Sequence, residues 1–395
     1  MGSGTVTEVF LAFLQLGMTC FGGPVAHLVL FRREFVERRN WVSERQFGQL
    51  LTLCQFLPGP GSSKLGFVLG LLRAGWTGAI AAFVAFTLPS ALLLFGFAAL
   101  LPKLSGPIGE AALHGLKLVA LAVVAYGLVG MSRSLCPDIS RRLIALVTAA
   151  IVLVVGQAWV QLLVVGMGAV AGLILCRSVR PDFEGNFALR YGTRTGWLLL
   201  LAFAVLLVGL PLAAHGHHRG LLLYAEAFFR TGALAFGGGH VVLPLLQDAV
   251  VKPGWVSSAD FLAGYGAAQA VPGPMFALSA YLGARLPGDD GGLPGASVAL
   301  IATFLPGFLL VAGVLPFWSA LAAHPAAARA IAGIGAVVVG LLAAALYDPL
   351  WVSAVRGPVD IFIALLGWLV LARWRASALL VVLICMSSSV IVALL

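Results

Sequence analysis

The chain has 395 residues, of which 61% are hydrophobic and only 10% are charged, whereas soluble domains carry about 25% charged residues. This composition excludes an ordinary soluble domain and predicts an integral membrane protein. The formal net charge of +9 is explained by basic residues in short loops on the cytoplasmic side of a membrane, so nucleic acid is not an expected partner.

Apolar segments follow one another along the chain, and a hydrocarbon core of about 30 Å is the length that each would have to cross. In chain order they are roughly 8–30, 76–101, 108–131, 141–157, 159–176, 197–214, 221–246, 294–320, 326–346, 359–372 and 375–394. Nothing basic precedes the first segment, so we expect it to stay as a membrane span and not to be cleaved as a signal peptide. The pattern predicts an all-α polytopic membrane protein.

Five cysteines are scattered through apolar sequence without a Cys-x-x-Cys pair or a histidine at ligand spacing. We therefore expect small buried hydrophobic residues, with no metal site and no cofactor. A GxxxxGK[ST] motif is absent, so ATP hydrolysis is not expected. The cysteines are Cys20, Cys54, Cys136, Cys176 and Cys385.

The chain contains an internal repeat. The stretch AFLQLGMTCFGG at 12–23 aligns with AFFRTGALAFGG at 227–238. Matches continue at nearly the same offset, with WVS at 41–43 and 255–257 and PGP at 58–60 and 272–274. The duplication predicts a first repeat at 1–176, a linker with one extra span at 177–220, and a second repeat at 221–395. Duplicated halves are typical of secondary transporters, which bind their substrate near the midplane between the halves.

The relative orientation of the halves depends on the segment around each PGP motif, about 46–72 in the first half. If this segment re-enters and turns back, sixteen loop Lys or Arg residues fall on one side and five on the other, and the halves are parallel. If it crosses as a broken helix, the halves are inverted and the charges divide about evenly. The basic loop FRREFVERRNWVSER corresponds to the slightly acidic QDAVVKPGWVSSAD, which favours inversion.

Each half has two helix breaks, FGG and PGP, inside apolar sequence. Irregular backbone at membrane depth must be buried in protein or line a polar cavity. Proline suits the first turn of a helix, so we expect helices to begin near Pro24, Pro60 and Pro274. Helix N-termini offer free N–H groups and about half a positive charge, which predicts an oxyanion site. The predicted substrate-binding residues are Gly22, Gly23, Pro58, Gly59, Pro60, Gly61, Ser62, Ser63, Lys64, Gly237, Gly238, Gly239, His240, Pro272, Gly273 and Pro274.

The two PGP motifs lead into chemically different sequence. The first precedes GSSK and the second precedes MFALS, so we place the main charge contact at Lys64. Two plainer interpretations stay open. The FGG glycines would serve only close helix packing, or PGP would be an interfacial turn from which Lys64 snorkels to water.

Other polar residues interrupt the apolar segments, and intramembrane ionisable groups are functional candidates by default. Glu226 and Arg230 lie four residues apart, so an ion pair between them is as compatible with the pattern as a role towards substrate. We expect His27 at a membrane interface and His240 as a proton acceptor. The candidate coupling or charge partners are Gln55, Gln269, Glu226, Arg230 and Lys117, the last on the same span as Glu110 and His114.

In the order of these motifs the sequence resembles the chromate transporter (CHR) family, of the long, two-domain type. The residues that carry the resemblance are FGGP, WVS and PGP in the first half, and FGGG-His, Trp-Val and Gln-x-x-PGP in the second. The resemblance implies export of chromate from the cytoplasm through a bacterial inner membrane, chromate resistance, sulfate as competitor, and oppositely oriented halves. Membrane lipid is the expected surrounding, and a homodimer is left open.

Residues and resemblance together predict two homologous, inverted halves with broken or re-entrant helices and about 11–13 membrane segments. They predict a secondary transporter and not an enzyme, driven by the membrane potential or by proton antiport. A transporter of sulfate or another tetrahedral oxyanion is the alternative. An anion channel and an intramembrane enzyme are remoter, since no clustered carboxylates or His/Asp set occur.

Overall fold

A computed structural model describes residues 4–20, 23–101, 106–155, 158–177, 187, 189, 191–216, 220–235, 242–322, 324–374 and 378–394. The described residues contain helices and turns but no β-strand. The first half and the helix after it comprise α1 (Val6–Thr19), α2 (Gly23–Arg32), α3 (Glu44–Phe56), α4 (Gly61–Leu100), α5 (Pro107–Leu135), α6 (Ile139–Val155), α7 (Ala158–Leu175) and α8 (Thr193–Ala214). The second half comprises α9 (Leu221–Leu234), α10 (Val242–Val250), α11 (Ser258–Ala270), α12 (Leu278–Ala284), α13 (Gly292–Val314), α14 (Trp318–Ala322), α15 (Pro325–Ala345), α16 (Val352–Ala354), α17 (Pro358–Trp374) and α18 (Ala378–Leu394).

Five of the described helices are long and apolar enough to cross a membrane. They are Gly61–Leu100, Ile108–Arg133, Thr193–Ala214, Gly292–Phe317 and Pro325–Ala354. All five predicted core cysteines are buried. These observations confirm an all-α polytopic membrane protein.

Helix α4 reverses direction near its middle. Ala74 and Gly75 have non-helical backbone angles, and Gly75 has a φ of 72°, a conformation that glycine adopts at little cost. A Cβ added to Gly70 would lie 2.5 Å from the carbonyl oxygen of Gly78, so the two arms pack with their backbones in contact. Helix α4 is therefore a short arm, 61–73, followed by a long arm, 76–100.

Both PGP segments turn back within the protein. In the second half, the Tyr281 hydroxyl donates to the backbone oxygen of Asp260 at 2.8 Å, and Arg285 pairs with the Asp260 carboxylate at 2.9 Å. Helices α11 and α12 are thus antiparallel, with PGP at the tip. In the first half, the Arg73 guanidinium at the end of the short arm lies 5.3 Å from the ring centre of Trp41, just before α3. The alternative in which these segments cross the membrane is wrong.

The first apolar segment of the first half also turns back, so the predicted span at 8–30 is wrong. The Phe13 ring in α1 lies 5.6 Å from the Phe31 ring in α2. The Trp41 indole N–H donates to the Glu8 carboxylate at 3.1 Å, which brings the start of α1 next to the end of the returning arm. Because the two arms pack against each other through apolar side chains, the segment is as apolar as a membrane span although it turns back.

The second half repeats this arrangement, so the predicted span at 221–246 is also wrong. Tyr224 at the start of α9 packs edge-on against Trp255, which follows α10, with ring centres 4.6 Å apart. Helices α9 and α10 therefore run in opposite directions on either side of the second FGG motif. Each half begins with two re-entrant hairpins, one with FGG and one with PGP between its arms.

The two halves are inverted. Tyr191 stacks on Trp76 with ring centres 5.2 Å apart and donates to the Ala312 carbonyl at 2.6 Å, so the long arm of α4 begins where α13 ends. Phe97, near the end of that arm, lies 5.7 Å from the ring of Tyr281, which precedes α13. The hairpins of the second half therefore enter from the opposite face, and the predicted inversion is confirmed.

The prediction that re-entry makes the halves parallel is wrong, because it counted 8–30 and 221–246 as spans. With both segments turning back, an odd number of crossings separates the halves. With this topology the Lys and Arg residues are again concentrated on one face of the molecule. Thirteen described Lys or Arg residues lie towards the face where the first-half hairpins begin: Arg32, Arg33, Arg38, Arg39, Arg45, Arg73, Arg133, Arg141, Arg142, Arg177, Arg194, Arg329 and Arg373. Four lie towards the opposite face: Lys117, Lys252, Arg285 and Arg356. The positive-inside rule makes the first face cytoplasmic and the second extracytoplasmic.

The halves also exchange helices. Helix α5 of the first half packs against α11, α17 and α18 of the second, and α15 of the second half packs against α6 and α7 of the first. Small residues allow the close approach: a Cβ added to Gly172 in α7 would lie 2.9 Å from the Cα of Gly333 in α15. This reciprocal packing holds the hairpins of the two halves tip to tip.

Candidate site at the four helix breaks

The two PGP breaks contact the residues that precede the FGG motifs, near the centre of the molecule. The N–H of Gly59 in the first PGP donates to the carbonyl of Ala235, the residue before the second FGG, at 2.7 Å. The N–H of Gly273 in the second PGP donates to the carbonyl of Cys20, the residue before the first FGG, at 2.9 Å. Each PGP tip is therefore bonded to the residue that precedes the FGG motif of the other half.

Both donors at these contacts require glycine. Gly59 has a φ of 103° and Gly273 a φ of 101°, in the left-handed region that side chains disfavour. A Cβ on Gly59 would lie 2.8 Å from the Cα of Gly307, and one on Gly273 would lie 2.9 Å from the Ser90 hydroxyl oxygen. The PGP glycines thus serve both the turn and the approach of a neighbouring helix.

The length of the arms places the tips near the midplane. Helix α1 has 14 residues and α3 has 13, so each arm extends ~20 Å at 1.5 Å per residue. Two arms that meet from opposite faces cover ~40 Å, about the thickness of a bilayer with its polar regions. The irregular backbone at the tips is buried in protein, as membrane depth requires.

Helices begin where the prolines predict. Helix α2 begins at Gly23, one residue before Pro24, and α4 begins at Gly61, directly after Pro60. A 3₁₀ turn starts at Met275, directly after Pro274, and leads into α12. These predictions are confirmed. The first N–H groups of each helix have no acceptor within the helix, and they lie at the tips.

Lys64 is fully buried in the first PGP hairpin, with 0% of its surface exposed. Its ammonium donates to the carbonyl oxygens of Leu57 and Pro58, the latter at 3.0 Å. Its stem borders α13, since a Cβ added to Gly307 would lie 3.3 Å from the Lys64 Cδ. The interpretation in which Lys64 snorkels to water is therefore wrong: the end of its side chain lies among backbone carbonyls at the tip.

Three further polar groups lie beside Lys64. Ser62 and Ser63 are buried, and the Ser62 hydroxyl lies 3.3 Å from Nδ1 of His27. Neither the Ser63 hydroxyl nor Nε2 of His27 has a hydrogen-bond partner among the described residues. His27 is 1% exposed, so its predicted interfacial position is wrong. The α1–α2 turn, which the sequence analysis treated as part of a span, brings His27 inside.

The other predicted residues lie in different places. Gln269 is buried, and its amide nitrogen is 3.4 Å from the Met275 sulfur beyond the second PGP. Glu226 and Arg230 form an ion pair at 2.9 Å, as predicted for the structural alternative. Lys117 lies away from the tips, towards the extracytoplasmic face. Gln55 is in the last turn of α3. The predicted residues Gly22, Gly237, Gly238, Gly239 and His240 lie outside the described residues.

The family model described as Chromate transporter matches residues 7–173 and 222–390 of this chain. A "Probable chromate transport protein" of Synechococcus elongatus is 32% identical over 342 residues, which cover 84% of this chain and 81% of that protein. A "Chromate transport protein" of Pseudomonas aeruginosa is 29% identical over 391 residues, 95% of this chain and 89% of that protein. A protein of the same name from Cupriavidus metallidurans is 29% identical over 378 residues, which cover 93% of this chain and 87% of that protein. No solved structure matches the chain. Because the family match takes in both inverted halves, with their hairpins and tips, the chain belongs to the chromate transporter family.

Proposed function

We propose that this protein is a secondary transporter that exports chromate from the cytoplasm across a bacterial inner membrane and so confers chromate resistance. The observation that carries the proposal is that each PGP tip is bonded to the residue before the FGG motif of the opposite, inverted half, beside a buried lysine. Inverted repeats with broken helices at the midplane are the arrangement in which secondary transporters bind their substrate. Family membership and the names of the relatives support chromate as the substrate.

The chemistry of the tips suits a tetrahedral dianion. Such an ion leaves water only if N–H groups, hydroxyls and positive charge replace its hydration. The first half offers the N–H groups that begin α4, the hydroxyls of Ser62 and Ser63, and the ammonium of Lys64. The corresponding positions of the second half are Phe276, Ala277 and Leu278. The proposed anion contact therefore lies mainly in the first half.

The driving force is adequate without ATP. An inside-negative potential favours the outward movement of an anion by about 2.3 kcal/mol per charge per 100 mV, so a dianion gains twice that amount. Potential-driven uniport and proton antiport are both mechanisms that could drive export without ATP. Sulfate is the second candidate substrate, because the described donors respond to charge and tetrahedral shape, which sulfate shares with chromate.

The experiment is uptake of radiolabelled chromate into inside-out membrane vesicles, in which export appears as accumulation. We expect uptake by the wild type, inhibition by sulfate, and a loss of at least about tenfold in Lys64→Met, since one charged hydrogen bond contributes about 1.5–3 kcal/mol. Collapse of the proton gradient separates uniport from antiport. Methionine keeps the length of the stem while it removes the charge.

The matched control is Lys252→Met, which removes an exposed lysine ion-paired with Asp248 at 2.8 Å and should leave uptake unchanged. Membrane insertion and the melting midpoint show whether Lys64→Met is folded. A folded Lys64→Met protein that accumulates chromate at the wild-type rate refutes the role of Lys64. Wild-type vesicles that take up sulfate but no chromate favour the second candidate.

A further inference from the structure

A cavity of about 570 Å³ lies on the extracytoplasmic side, between α5 of the first half and α11, α17 and α18 of the second. None of its lining residues belongs to the four tips. Its charged and titratable lining residues are Glu110, His114, Lys117, Asp260, Arg356 and Asp360. Since one water occupies about 30 Å³, the cavity has room for a small ion together with part of its hydration shell.

Two partly buried acids of the cavity, Asp360 and Asp260, already have partners. Asp360 accepts a hydrogen bond from His114 at 2.8 Å and from two backbone N–H groups at 2.8 and 3.2 Å. Asp260 is ion-paired with Arg285 at 2.9 Å. Glu110 lies at the exposed rim. The negative charge that faces the interior of the cavity is therefore largely neutralised.

The two cations of the cavity lack such partners. Neither the Lys117 ammonium nor the Arg356 guanidinium forms an ion pair with a carboxylate of the described part of the chain. The charges of Lys117 and Arg356 repel each other, and the charge of Lys117 is also attracted by Asp260. Two like charges at one concave site are unfavourable unless an anion or water compensates them. The cavity therefore presents two cations to an anion that enters it.

We propose that this cavity is a second oxyanion site on the release side of the pathway, where Lys117 and Arg356 hold a tetrahedral dianion after it leaves the tips. The choice of an oxyanion rests on the proposed function. Helix α11 connects the cavity to the second PGP tip. Asp260 lines the cavity, and Pro272 begins the tip twelve residues later, which is ~18 Å along a helix. The bond between His114 of α5 and Asp360 of α17 joins the two halves across the wall of the cavity.

The test is equilibrium binding of radiolabelled sulfate to the purified, detergent-solubilised protein, because sulfate has the shape and charge of chromate without its oxidising power. We expect two sites in the wild type. We expect one site in the double variant Lys117→Met/Arg356→Gln, with the lost site weakened at least tenfold. Lys64→Met should lose the other site, and Lys252→Met should keep both.

The outcomes separate this inference from the proposed function. A double variant that melts like the wild type and binds as much sulfate overturns the inference, as does a wild type with a single site that only Lys64→Met removes. A site lost in the double variant but unaffected in Lys64→Met supports the cavity and counts against the central role of Lys64. Absence of sulfate binding to the wild type overturns the outer site.

Discussion

The contact between the first PGP tip and α13 predicts a large effect for a single added methyl group, Gly59→Ala. The alanine Cβ would lie 2.8 Å from the Cα of Gly307, and backbone can move only with its helix. A non-glycine residue at a φ of 103° adds strain of about 1–3 kcal/mol, and overpacking adds about 1–3 kcal/mol. The sum of about 2–6 kcal/mol is a large part of the stability of a typical domain. We expect a melting midpoint well below that of the wild type and little chromate uptake.

Two matched variants test the reasoning. Gly273→Ala has similar backbone strain, but its nearest obstacle is the Ser90 hydroxyl, which can rotate, so we expect a smaller loss of stability than for Gly59→Ala. Gly48→Ala meets no atom within 4 Å and lies within α3, so it should leave the midpoint unchanged or raise it, since alanine favours helix by about 1 kcal/mol. A Gly59→Ala protein as stable as the wild type, or less perturbed than Gly273→Ala, refutes the described contact between the first PGP tip and α13.

Two further predictions concern topology and pH. A cysteine introduced by Asp289→Cys should react with an impermeant maleimide added to intact cells, whereas one introduced by Arg142→Cys should not, because the two positions lie on opposite faces. The native cysteines are buried and should not react. The reverse labelling contradicts the assigned face. The Arg141 side chain and backbone N–H hold the pKa of Asp138 below its ordinary value, so this carboxylate stabilises the fold above the ordinary value, about 3.9, and the contribution is lost as pH falls through the lowered one. Asp138→Asn should therefore reduce the free energy of unfolding by about 0.5 kcal/mol at neutral pH, the scale of an exposed ion pair, and the difference from the wild type should vanish in acid melts.

The sequence was sufficient for the repeat, the helix breaks and the helix starts. The repeat is visible because FGG and PGP recur at nearly the same offset, and the helix starts follow from the fixed φ of proline and its missing N–H. These are local properties of the backbone. They do not depend on the residues that pack around them, so one sequence is enough to predict them.

The re-entry of the first apolar segment was not predictable from hydropathy. Residues 8–30 are as apolar as a span because side chains such as Phe13 face protein and not lipid, and the Phe13 ring packs against those of Phe31 and Phe35. A glycine pair between two arms of about half a membrane thickness is a signal of such a turn. The distribution of Lys and Arg also pointed to this topology. Of the topologies considered, only the one with two re-entrant segments in each half gives both inverted halves and basic residues concentrated on one face.

The extracytoplasmic cavity was missed for a different reason. Its charged and titratable residues come from three distant parts of the chain, 110–117, Asp260 and 356–360, and only those of the first part stood out as polar residues within an apolar segment. Their proximity depends on the exchange of α5 between the halves, which leaves no motif in one sequence. Likewise, the sequence placed Lys64 at the tip but did not reveal that its ammonium bonds the carbonyls of Leu57 and Pro58.

Under the proposed function, the hydrogen bonds at the tips connect the binding of substrate to the separation of the two halves. Three of the donors at the tips are occupied: Gly59 and Gly273 donate to the opposite half, and Lys64 donates to its own tip. A dianion that replaces the two carbonyls between the halves exchanges neutral hydrogen bonds for charged ones, a gain of about 1 kcal/mol for each bond. The exchange also severs the bonds that join the tips, and the freed carbonyls regain partners only if water enters between the halves. Binding then favours separation by about 2 kcal/mol, or about 30-fold.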